Sequence, residues 1–68
     1  MKFKMGTLVR LLVDVHLIDG VNFFIGDVGV IIDADPSAEK SFFTNFDYII
    51  LINEVELYVF DSEIETYL

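Results

Sequence analysis

The side chains able to do chemistry in this chain are few and scattered. His16 is the single histidine, and no Ser or Cys stands beside it. A nucleophilic triad would have to be assembled from Ser37, Ser41 or Ser62 in distant segments, so a surface or loop histidine is expected. Asp33-Ala34-Asp35-Pro36-Ser37-Ala38-Glu39 places oxygen ligands at alternate positions, as the opening of a calcium loop does. Its sixth position is Ala38 where such a loop needs glycine, and its twelfth is Thr44 rather than Glu. A strand-ending turn without a metal is therefore expected. Glu54 and Glu56, like Glu63 and Glu65, stand two apart, so each pair could share one strand face. Acid–base work would also need a sheltered cleft that raises one pKa, and a chain of 68 residues seldom builds one. Solvated glutamates are the expectation, with no catalytic residue, no cofactor and no metal.

Aromatic side chains carry the stronger signal. Phe23 and Phe24 lie near the end of one long connection, Phe42, Phe43 and Phe46 lie in or beside a second, and Tyr58 and Phe60 alternate along a strand. Neighbouring residues on extended backbone point to opposite faces. Both members of Phe23-Phe24 are buried only if something covers each face, so one of each adjacent pair is a candidate for an exposed patch of the kind that marks a protein interface. The interface candidates are Phe23, Phe24, Phe42, Phe43, Phe46, Tyr58 and Phe60.

Composition bounds the partners. Sixty-eight residues make one domain, 1–68 with a short tail at 1–5, and 54% of them are hydrophobic. A domain this small hides only about 60% of the surface its unfolded chain exposes. Conformational entropy opposes folding by on the order of 100 kcal/mol, at ~1.5 kcal/mol per residue. With no cysteine there is no disulfide to shrink the unfolded ensemble, so burial against another copy or a partner is expected to help. The lack of cysteine fits an intracellular, cytoplasmic protein. The apolar start is broken by Arg10, Asp14 and His16, which argues against a secretory signal. No run approaches the roughly 20 apolar residues of a membrane helix.

Charge is divided along the chain. Residues 1–10 hold Lys2, Lys4 and Arg10 and no acid, for +3. Residues 11–68 hold all twelve acids against Lys40 alone, for −11. Nucleic-acid binding relies on clustered Lys and Arg that displace counterions, so direct contact with DNA or RNA is not expected. The acids read as a solvated surface that keeps an apolar chain dissolved. The sharper alternative is an acidic face that meets a basic partner or mimics nucleic acid toward one.

Strands must position these residues. Tyr48–Ile52 and Val55–Phe60 are rich in β-branched and aromatic side chains and flank Asn53-Glu54, which predicts a two-residue hairpin. Glu54 replaces the usual glycine, so a type I′ turn would be strained and a bulged turn is an alternative. Val55, Leu57 and Val59 alternate with Glu56, Tyr58 and Phe60, as in a half-buried strand. The preceding strand lacks that alternation and is expected at the centre of the sheet, covered on both faces. Upstream, Thr7–Val13 predicts a first strand and Val28–Asp33 a second, with Gly29 suggesting a bulge or bend. Between them Asp19-Gly20 marks the tip of an irregular hairpin. Asp35-Pro36 ends the second strand and opens a loop to Asn45. Asp61-Ser62-Glu63 predicts one short helical turn before a closing strand, Ile64–Tyr67.

This order of elements resembles that of SH3-like barrels. GTLVRLL, FFIGDVGVIID, FDYIILINEVELYVF and DSEIETYL together look like the small SH3-like proteins encoded by tailed bacteriophages, over residues 6–68. GDVGVIID is similar to the KOW element of transcription and ribosomal proteins, although the basic residues those modules use on RNA are absent. With no Trp, the chain lacks the equipment of signalling SH3 domains for polyproline. The resemblance implies an all-β fold, a five-stranded SH3-like small barrel with one short 3-10 turn before the last strand. The expected role is non-catalytic protein–protein contact, with self-association into a homo-oligomer as its leading form. The site of action would be the cytoplasm, or the host cytoplasm for a phage-encoded chain. An acidic decoy on a basic surface of a host protein is the first alternative, and a small metal-dependent or hydrolytic enzyme the second.

Overall fold

The computed structural model describes residues 3–34 and 46–67. The fold is all-β, and the described residues form seven strands: β1 (Leu8–Leu11), β2 (Val15–His16), β3 (Asn22–Phe23), β4 (Val28–Ala34), β5 (Tyr48–Ile52), β6 (Val55–Val59) and β7 (Ile64–Thr66). A 3-10 turn, Asp61–Glu63, precedes β7. Five strands form one antiparallel sheet in the order β6-β5-β4-β1-β7, while among the described residues β2 and β3 pair only with each other. Among the described residues no helix is long and apolar enough to cross a membrane.

Chain length makes this sheet curl. β6 and β7 occupy its opposite edges, which in a flat sheet of five strands lie roughly 19 Å apart at the usual interstrand spacing. Five peptide steps from Val59 to Ile64 reach at most about 18 Å fully extended, and a 3-10 turn shortens them further. One side-chain and one backbone acceptor fix the turn at its two ends. The Asp61 amide donates to Asp47 Oδ2 (2.8 Å) at the start of β5, and the Leu12 amide donates to the Glu63 carbonyl (2.8 Å) at the end of β1. The Phe60 amide donates to Glu63 Oε1 (2.7 Å), which caps the turn. No ladder joins β6 to β7 among the described residues.

The concave face holds the core. Val9 and Leu11, Ile31, Tyr48, Ile50 and Ile52, Leu57 and Val59, and Ile64 are all buried and follow the period of two on their strands. Phe3, which lies in the expected tail, joins them: its ring meets Tyr48 edge-on at 5.4 Å, and its amide donates to the Tyr48 hydroxyl (3.0 Å). That bond gives the buried phenolic oxygen a hydrogen-bond donor.

Several local expectations change. β1 is shorter than Thr7–Val13, because the Leu12 amide bonds the 3-10 turn instead of continuing a ladder. β4 extends to Ala34, and β7 ends at Thr66. β5 lies inside the sheet between β4 and β6, but it is not covered on both faces: Ile49 and Leu51 are only half-buried. The Asn53-Glu54 turn is a two-residue turn after all, with both residues at positive φ (50° and 66°) and Ile52 paired to Val55. The bulge in β4 falls between Ile31 and Asp33, whereas Gly29 sits in regular register opposite Val9. Gly29 is needed for space: a Cβ there would lie 2.5 Å from Ile52 Cγ1 and 2.8 Å from the Leu51 carbonyl oxygen. Pro36–Asn45, with Phe42, Phe43, Ser37 and Ser41, lies outside the described residues.

Gly29→Ala should destabilise the fold by about 2–3 kcal/mol in urea denaturation, since the backbone oxygen cannot yield to the added methyl; a loss below about 0.5 kcal/mol would contradict this packing. Glu54→Gly should raise stability by about 0.5–1 kcal/mol, because only glycine adopts positive φ without steric cost.

Candidate functional site

Glu54 and Glu56 do not share a strand face: Glu54 belongs to the turn, and only Glu56 lies in β6. Glu63 likewise sits in the 3-10 turn, engaged with the Phe60 amide, while Glu65 Oε1 accepts from Arg10 Nε at 2.8 Å. Both partners of that ion pair are close to half exposed, so it contributes little to stability. His16 is exposed on β2, where its Nδ1 lies 2.8 Å from Oδ1 of its cross-strand neighbour Asn22. Asp33 Oδ1 accepts from the Ala34 amide (2.8 Å), and the remaining oxygens of the calcium-like run lie outside the described residues. Among the described residues no three His, Asp or Glu side chains gather as metal ligands would.

The aromatic candidates separate by the strand period. Phe23 is 3% exposed and belongs to the core, which removes it from the set available to a partner, whereas Phe24 is 55% exposed. Phe46 is half-buried and packs on Tyr58 with ring centroids 4.9 Å apart. Tyr58, at 59%, and Phe60, at 40%, point outward from β6 and its end, opposite the buried Leu57 and Val59. Phe42 and Phe43 lie outside the described residues.

Two surface features emerge from this placement. The first is a β-turn, Phe24–Asp27, closed by the Asp27 amide on the Phe24 carbonyl (3.0 Å) and with Gly26 at φ 95° in its third position. Two carboxylates brace it. The Phe24 amide donates to Asp27 Oδ2 and the Ile25 amide to Asp14 Oδ1, both at 2.9 Å, and the Gly26 amide donates to the Leu11 carbonyl (2.8 Å). Held this way, Ile25 is 65% exposed beside Phe24. Sequence reasoning missed Ile25; its signal was the Gly26-Asp27 pair that follows, which places residue 25 at a turn corner.

The second feature is a groove of about 360 Å³ between the β2–β3 hairpin and β6, lined by Val15, Leu17, Glu56, Leu57 and Tyr58. The hairpin closes with the Gly20 amide on the Leu17 carbonyl (3.1 Å) and the Leu17 amide on the Val21 carbonyl (2.9 Å), and its tip leaves Ile18 fully exposed. Val15 and Leu17 pack against the core from the hairpin side, so the groove has an apolar floor and an acidic, aromatic lip.

Asp14→Ala should speed hydrogen exchange at the Ile25 amide and lower stability by about 1 kcal/mol, less than the roughly 1.5–3 kcal/mol of a bond to a charged group because this one is solvent-exposed; unchanged exchange at Ile25 would show that the turn does not need its brace. Compared with known proteins, the chain matches no family model, no curated protein and no solved structure.

Proposed function

We propose that this protein is a non-catalytic interaction module of the SH3-like barrel kind that works by protein contact, with association between copies as its leading form. The observation that carries the reading is the Phe24–Ile25 turn. Two large apolar side chains stand in solvent there on a backbone tied by four hydrogen bonds, two of them to carboxylates. Apolar surface presented on a rigid backbone binds at low ordering cost, and contiguous exposed apolar surface marks contact sites. An SH3-like layout draws support from the sheet order, the hairpin excursion between β1 and β4, and the 3-10 turn before β7; kinship with the small SH3-like proteins of tailed phages is part of the proposal and rests on the sequence resemblance. The module would act in the cytoplasm, or in the host cytoplasm if a phage encodes it.

A second reading, an acidic decoy for a basic surface, draws support from charge. Residues 12–27 and 46–67 together hold nine of the twelve acids and no Lys or Arg. Hydrolytic or metal chemistry has the weakest support, because among the described residues no three His, Asp or Glu side chains gather and several carboxylates are engaged with backbone amides.

Light scattering over a wide concentration series tests the leading form. The wild type should exceed protomer mass as concentration rises, and more so at about 0.5 M NaCl, where screening relieves repulsion between chains of net charge −8. Phe24→Ser combined with Ile25→Ser should stay at protomer mass with an unchanged circular dichroism spectrum. A wild type that never associates, or a double variant that associates equally well, overturns the reading.

A further inference from the structure

β6 is the longer of the two edge strands, with five residues against three in β7. Its pairing with β5 is unbroken from Ile52↔Val55 to Tyr48↔Val59, with no bulge. In a two-residue hairpin the pair flanking the turn exchanges both hydrogen bonds, and the exchange recurs at every second pair. Val55 and Leu57 therefore turn their N–H and C=O groups toward β5, and Glu56 and Tyr58 turn theirs away from it. Among the described residues no bond to those outward groups occurs, and no proline or lysine stands in β6 to blunt the edge.

We infer that the β6 edge is a docking site for an extended, basic segment of another protein, added to the sheet as a sixth strand. The backbone of Glu56 and Tyr58 supplies the donors and acceptors for such an addition. Spacing and chemistry then dictate the guest. Side chains on one of its faces descend into the groove onto Val15 and Leu17, which calls for apolar residues. Side chains on the other face lie beside Glu56 and the Tyr58 ring, which calls for Lys or Arg, able to pair with the carboxylate and stack on the ring. The charge argument selects a basic guest over a second copy. Glu54 and Glu56 lie on this strand and its turn, and neither the hairpin nor residues 46–67 carries a cation to offset them. A copy of this chain would bring a further net charge of −8 to the contact. This surface is separate from the Phe24–Ile25 turn, so each can fail while the other holds.

Fluorescence anisotropy with a labelled Lys-Val repeat of about eight residues, long enough to span β6, provides the test. The repeat should bind the full chain, weaken steeply with added salt, and protect the Glu56 and Tyr58 amides from hydrogen exchange. N-methylation of the peptide residues that face β6 should weaken binding by at least about tenfold, because it removes the strand bonds. Glu56→Lys, an exposed position whose exchange leaves the core untouched, should weaken it by about tenfold. The Phe24→Ser, Ile25→Ser chain should bind as the wild type does. The proposal is overturned by no binding, by equal binding of a Glu-Val repeat, or by a Lys-Gly repeat of the same charge that binds as tightly as Lys-Val. Indifference to N-methylation would overturn it as well, since charge alone would then explain the affinity.

Discussion

A four-residue link between the two outermost strands governs this molecule. β6 and β7 lie at opposite edges of a five-stranded sheet, yet only Phe60–Glu63 separates them. The sheet can satisfy that tether only by curling, and curling gives it one concave face. On that face the period-2 side chains of all five strands converge, so Leu11, Ile31, Ile50, Val59 and Ile64 become almost fully buried in a chain too short to stack two separate layers. The bonds from Asp61 to Asp47 and from Leu12 to Glu63 pin the link where the tether is tightest.

Curvature also decides what is left outside. A small domain cannot cover both faces of its sheet, and the convex face keeps Leu8, Val28 and Tyr58 partly in solvent. The hairpin β2–β3 is not part of the large sheet, and it packs Val15 and Leu17 toward the core. Because it approaches β6 without pairing with it, a groove remains beside an edge strand. The same hairpin leads into the braced turn at Phe24–Asp27, where Asp14 and Asp27 serve as acceptors for backbone amides. Part of the acidic character of this chain is thus structural, holding loops in shape, and part is exposed surface charge, as at Glu56.

Glycine placement illustrates how a local signal can be right in importance and wrong in kind. A glycine within a β-branched run signals something unusual in β4, and a bulge is a reasonable reading of it. The bulge occurs nearer Asp33, and Gly29 is instead the place where Ile52 leans across from β5. The two residues are far apart in the chain, so no window around Gly29 contains the reason for it. Phe3 is similar: it looks like tail, and its burial depends on Tyr48, 45 residues away.

Alternation along residues 55–60, the Asp19-Gly20 tip, the two-residue separation at Asn53-Glu54 and the polar run at 61–63 are short-range features, and the backbone answers to them locally. From them follow the strand content, the hairpins, the 3-10 turn and the outward placement of Tyr58 and Phe60. Strand order, the member of Phe23-Phe24 that enters the core, the exposure of Ile25 and the open side of β6 all depend on which distant segments meet. Those meetings are settled as the sheet curls over its apolar face, a balance of burial and chain reach that belongs to the whole chain at once rather than to any stretch of it.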